Sequence, residues 1–157
     1  MKNRLKGITL IETMLYIGLF SVIIIIVLNF MLSTQEATQK TQSRSDVHRV
    51  AEFVSQHINH SFNKTLSVNP LTSIFDSSQG VLDLQFTEGS KQYTISNSRL
   101  YFDGIPITPT NVTINSFTVQ PVYKGTDTII GIKTDIDILS RKDPSVVDSL
   151  NLLLLIR

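Results

Sequence analysis

An α+β fold, with one long N-terminal helix, transmembrane and then amphipathic, packed on an antiparallel β-sheet, is predicted by three features of the sequence. Residues 8–32 form an almost uninterrupted apolar run, Ser33–Phe62 carries apolar residues at helical spacing, and beyond Pro70 the apolar period becomes two. At 157 residues, 41% hydrophobic and 17% charged, the chain has material for one modest domain and an appendage, and is too hydrophobic for disorder. It contains no cysteine, which excludes a disulfide framework and thiolate metal sites, so an extracytoplasmic domain would rest on its core alone.

The apolar run comes first. From Ile8 to Gln35 the single charge is Glu12. As a helix, Ile8–Leu32 spans roughly 37 Å, enough to cross a bilayer core with some tilt. Lys2, Arg4 and Lys6 precede it, whereas Glu36 and Lys40 follow, so the positive-inside rule places the N-terminus in the cytoplasm and the remainder outside. Without those three cations, 11 basic and 13 acidic side chains remain, a balance that gives no clear sign of nucleic-acid binding. An ordinary secretory signal fits poorly, because the apolar run is too long and Asn29-Phe30-Met31-Leu32 offers no small-residue exit. The small residue that suggests a cut is Gly7, ahead of the run. Cleavage there removes the charges and leaves the anchor.

Glu12 calls for a partner, since an isolated carboxylate in a bilayer costs several kcal/mol. A new α-amino group at Ile8 would supply a cation beside the positive end of the helix dipole. Within one helix the four-residue separation permits contact; between helices, the same pair would set their axial stagger. The blander alternative is a glutamate at the interface, neutralised by protonation or by snorkelling.

Lys6-Gly7-Ile8-Thr9-Leu10-Ile11-Glu12 closely resembles the prepilin cleavage and methylation motif of the type IV pilin and pseudopilin superfamily. The resemblance implies that a membrane aspartic peptidase cuts between Gly7 and Ile8, that the same enzyme methylates the new N-terminus at Ile8, and that Glu12 registers an incoming subunit. It covers the first fifth or so of the chain, where leader, glycine, glutamate and apolar helix stand in register. Many members place a helix-breaking proline at the position of Asn29, so the local melting that such a proline allows on assembly is not implied here.

The helix is expected to continue through an amphipathic segment. Val47, Val50, Ala51, Val54, Ile58 and Phe62 form one apolar stripe at spacings of three and four, and Asn69-Pro70 stops any helix. The resulting division is a leader at 1–7, a transmembrane and assembly helix at 8–32, an amphipathic helix at 33–66 and a sheet domain at 67–157. Within the last, Leu82, Leu84 and Phe86 alternate with Asp83 and Gln85, Tyr93 and Ile95 begin a second run, and Leu100 and Phe102 mark a third. Glu88-Gly89-Ser90, Ser96-Asn97-Ser98 and Asp103-Gly104 supply turns between them. Val112–Ile114 and Phe117–Val119 alternate out of phase, which predicts a bulge near Asn115-Ser116. Ile130, Ile132, Thr134, Ile136 and Ile138 oppose Gly131, Lys133, Asp135 and Asp137 in a half-buried strand. Leu150–Ile156 reads as a closing strand, buried on both faces or presenting an apolar patch. Ser67–Gly80 reads as a loop. Helix on sheet also resembles the pilin fold, in which the helix is the fibre's spine.

Enzymatic constellations are weak or missing, and neither a cofactor nor a metal is expected. His57 and His60 lie three apart on one helix but, with no third ligand at a set spacing, read as a solvated polar face, and His48 is alone. Asp135 and Asp137 share one side of a strand and read as solvent or edge charges that discourage aggregation. No Walker loop, G-x-S-x-G elbow or nucleotide fingerprint occurs. The Asn59, Asn63 and Asn111 glycosylation triplets are short enough to arise by chance.

The resemblance therefore implies a structural subunit of a type IV pilus or a related secretion or DNA-uptake pseudopilus, leaning to a minor pilin or pseudopilin. Its partners would be other subunits through Ile8–Leu32, the prepilin peptidase, the assembly platform and motor, and the membrane. The implied location is a single-pass cytoplasmic membrane protein, then a surface fibre. The alternative is a permanently anchored surface binding protein that never polymerises.

Overall fold

The computed structural model describes residues 9–125 and 128–156, which form one α-helix and eight β-strands. Helix α1 runs from Leu10 to Asn63, a stretch without proline and with Gly18 as its one glycine. Thr9 stands at its cap, its carbonyl accepting from the amides of Glu12 at 3.0 Å and Thr13 at 3.2 Å. The helix stops at Asn63, well short of Pro70. Lys64 N–H donates to the Ser61 carbonyl and Thr65 N–H to that of Phe62, tightening the last turn. Thr65 Oγ1 then reaches the carbonyls of Ser67 and Gln85, which ties the chain to the sheet before proline can act.

The strands are β1 (Ser67–Val68), β2 (Leu82–Phe86), β3 (Gly89–Ser96), β4 (Arg99–Phe102), β5 (Ile105–Pro106), β6 (Val112–Lys124), β7 (Thr128–Ser140) and β8 (Val147–Leu155). All neighbours are antiparallel, but they make two sheets, in the orders β1-β2-β3-β4-β5 and β6-β7-β8. The expected single sheet divides because the outer edge of β6 is occupied. Asp76 N–H donates to the Val119 carbonyl, Gly80 N–H to that of Phe117, and Phe117 N–H to that of Ser78. Residues 69–81 are therefore a strap on β6. A Cβ at Gly80 would lie 2.5 Å from the Phe117 carbonyl oxygen, so only glycine permits this approach.

The β3–β4 and β4–β5 turns are two-residue hairpins, with positive φ at Asn97 and Ser98 and at Asp103 and Gly104. The expected bulge is present: Ile114 faces Ile138 and Ser116 faces Asp137, leaving Asn115 unpaired. The boundary between two compact units falls between Gln39 and Lys40. In the second unit, the predicted stripe Val47, Val50, Ala51, Val54, Ile58 and Phe62 is buried against both sheets, among Leu82, Leu84, Tyr93, Phe117, Val119, Ile132 and Ile136. Full burial of side chains of this size contributes about 1.5–3 kcal/mol each.

Three expectations need correction. Asp83, placed by alternation on an outer face, is buried beneath the strap, where Thr72 Oγ1 donates to its carboxylate and its own N–H donates to Ser73 Oγ. Asp135 and Asp137 do share a face, but β7 is the central strand of its sheet and not an edge. The closing strand is not buried on both faces: Leu150 and Leu152 are half-buried, Leu154 is buried, and Leu153 and Leu155 are exposed.

Candidate functional site

Every side chain from Thr9 to Gln42 is exposed. Among the large hydrophobic residues between Leu10 and Leu32, even the least exposed, Ile24, shows 42% of its surface. The chain thus has one N-terminal helix long and apolar enough to cross a membrane. Two hydroxyls within the apolar stretch suit an apolar medium: Thr13 Oγ1 donates to the Leu10 carbonyl and Ser21 Oγ to that of Ile17, each at 2.8 Å.

Glu12 interrupts this surface. It is the third residue of α1, where the partial positive charge of the helix start favours a carboxylate. Its Oε1 accepts from the Tyr16 hydroxyl at 3.2 Å, one helical turn on. The i,i+4 spacing of Glu12 and Tyr16 is a signal that would have revealed this partner. Gly7, Ile8, Lys2, Arg4 and Lys6 lie outside the described residues, so of the predicted site residues Glu12 is the one the structure places.

In the second unit His60 is exposed, as expected of a solvated face, but His57 is not. Tyr93, fully buried on β3, donates its hydroxyl to Ser61 Oγ at 2.8 Å and lies 2.8 Å from His57 Nδ1. The Phe102 ring meets His57 edge-on, with centroids 5.1 Å apart. His57 is thus half-buried; burial, followed by the nearby His60 charge, lowers its pKa below the usual 6.5. Burial raises the Tyr93 pKa far above the phenolic range, partly opposed by the Ser61 bond. Asp137 is held below its ordinary pKa by the hydroxyls of Ser149 and Ser116, each 2.7 Å from the carboxylate. Lys64, Phe86, Glu88, Lys91 and Phe102 line a cleft beside His57 and His60, with charges of both signs. No group of three or more metal-ligating side chains occurs among the described residues.

The lowered His57 pKa has a definite sign. As pH falls through about 6.5, an unfolded chain takes up a proton that the folded chain resists, so stability present above that pH is lost towards the folded-state pKa. Thermal unfolding of the detergent-solubilised chain is expected to show a midpoint that falls as the pH drops below about 6.5. His57→Gln is expected to shallow that slope; an unchanged slope would place its origin elsewhere.

A scan against models of known families, a search of curated proteins and a search of solved structures each find no match.

Proposed function

We propose that this chain is a structural subunit, a minor pilin or pseudopilin, cut after Gly7, methylated at Ile8 and assembled through Ile8–Leu32 into a type IV pilus or a related secretion or DNA-uptake pseudopilus. The observation that carries this reading is one juxtaposition: the Lys6–Glu12 motif leads into a stretch of α1, Leu10–Leu32, whose apolar side chains are all exposed, while residues 43–154 supply a separate buried core. A surface of that length and character has to be covered, by lipid in a membrane or by the same segment of neighbouring subunits in a fibre. Lipid tails and leucine side chains are equally apolar, so passage between the two has little hydrophobic driving force of its own.

Under this reading the choice falls to packing and to the one charge available. A carboxylate in the first turn of each helix meets the α-amino group that cleavage creates on its neighbour, and the pair fixes the stagger of adjacent helices. The peptidase, platform and motor are separate partners. The second unit lies outside the membrane and then on the fibre's exterior.

The reading is tested by the intact mass and N-terminal peptide of the chain extracted from membranes of cells that contain a prepilin peptidase. A product beginning at N-methylated Ile8 is expected. A chain that still carries Met1–Gly7 in those cells would overturn the assembly reading and leave a permanently anchored surface protein.

A further inference from the structure

Sheet edges invite pairing, and folded chains guard them by brevity, by lysine or proline, by bulges, or by covering them. Three of the four edges here are guarded. Strands β1 and β5 are two residues long, and the outer edge of β6 is bonded to the strap at Asp76, Ser78 and Gly80. The fourth, β8, has nine residues in unbroken register with β7. In that register Ser140 N–H donates to the Val146 carbonyl and Ile156 N–H to that of Ile130. The even-numbered residues of β8 therefore bond to β7, and the odd-numbered ones turn their N–H and C=O groups away. For the backbone groups of Val147, Ser149, Asn151, Leu153 and Leu155 there is no protein partner among the described residues.

Past Asp148, the same strand carries no chemical guard. From Ser149 to Leu155 there is neither charge nor proline, and Asp148, just before it, faces His48 at 3.4 Å. Leu153 and Leu155 are 65% and 56% exposed. An occupant must be an extended strand, because the open groups form a ladder, and an apolar one gains most, because its side chains extend the cover over Leu153 and Leu155. The strand of the chain that meets both conditions with its own ladder open is β8 itself. We infer that β8 is a self-association edge, pairing antiparallel with β8 of a second copy so that the two three-stranded sheets become one of six. Leu153 faces Leu153 of the second copy across the two-fold axis, with Asn151 opposite Leu155. The two-fold axis, normal to the joined sheet, reverses the segment of α1 packed on it in the second copy, so this pairing is distinct from the side-by-side assembly of apolar helices proposed above and does not depend on leader cleavage.

The absence of cysteine makes the test direct. Leu153→Cys places one thiol on the proposed axis, and Thr118→Cys, on β6, is the collision control in the same detergent-solubilised full-length chain. Mild oxidation is expected to give at least severalfold more disulfide-linked dimer with Leu153→Cys. Adding Asn151→Pro deletes an edge donor while sparing the ladder to β7, so it is expected to return the yield to the control level without changing the circular dichroism. Equal yields from the two single variants, or a yield that Asn151→Pro leaves unaltered in a folded chain, would overturn the inference.

Discussion

Glu12→Ala is expected to leave the chain cleaved and membrane-inserted, and to reduce its recovery in sheared surface fibres by about a hundredfold relative to the membrane fraction. That ratio corresponds to about 2.7 kcal/mol, within the range for losing one partner of a desolvated charge pair. The helix itself should form at least as well, since alanine is a good helix former and the lost dipole interaction is worth at most about 1 kcal/mol. Tyr16→Phe separates two accounts of the carboxylate. If Glu12 acts only through the bond it accepts from the Tyr16 hydroxyl 3.2 Å away, which both substitutions break, the two variants should lose fibres to a similar degree. If it serves to receive the amine of a neighbour, Tyr16→Phe should retain most of its recovery while Glu12→Ala does not. Immunoblots of sheared and membrane fractions from the same cells give both ratios. Recovery of Glu12→Ala near the wild-type level would remove Glu12 from assembly altogether.

How far the fold could be read in the sequence depended on whether local pattern or distant contact decided each element. The apolar half of α1 is evident because composition alone determines it, and the stripe from Val47 to Phe62 is evident because spacings of three and four leave one face to bury. The hairpins could be placed because Asn97, Asp103 and Gly104 take backbone angles that few other residues tolerate. A phase change disclosed the bulge at Asn115. The division into two sheets was not readable, since it follows from three hydrogen bonds between the strap and β6 across nearly forty residues of chain. Pro121 hid the true length of β6, which runs to Lys124. Its missing N–H falls on the edge facing away from β7, as the N–H of Phe117 does, so no ladder bond is lost.

The same distinction applies to the polar residues. Alternation turned Asp83 outward because nothing local announces that Thr72 and Ser73 will cover it. His57 reads as solvated because nothing nearby in sequence offers it a partner; its partner, Tyr93, is 36 residues away. Glu12 was legible as a residue needing an explanation because charge is scarce around it, whereas its bond to Tyr16 went unread in a segment dominated by aliphatic side chains.

Phe117→Ala should have the largest effect on the second unit. Phe117 is fully buried; it pairs with Ile136 on β7, donates its N–H to Ser78 and receives the N–H of Gly80. Its ring thus lies in the core that holds helix, sheets and strap together, and neither main-chain bond can compensate for its removal. Truncating a buried phenylalanine costs about 3–5 kcal/mol, the transfer loss plus the cavity that remains. Against a total of about 5–15 kcal/mol for a unit of this size, that is about a fifth of the stability or more. Thermal unfolding followed through the β-sheet circular dichroism should fall by roughly 10–20 °C. Leu71→Ala, at a side chain 93% exposed, should change the midpoint by no more than about 0.5 kcal/mol equivalent. Because the apolar part of α1 draws on none of these contacts, retention of the Phe117→Ala chain in the membrane fraction should equal that of the wild type. A midpoint within 3 °C of wild type, roughly the shift expected for less than 1 kcal/mol, would mean that Phe117 does not anchor the strap and both sheets.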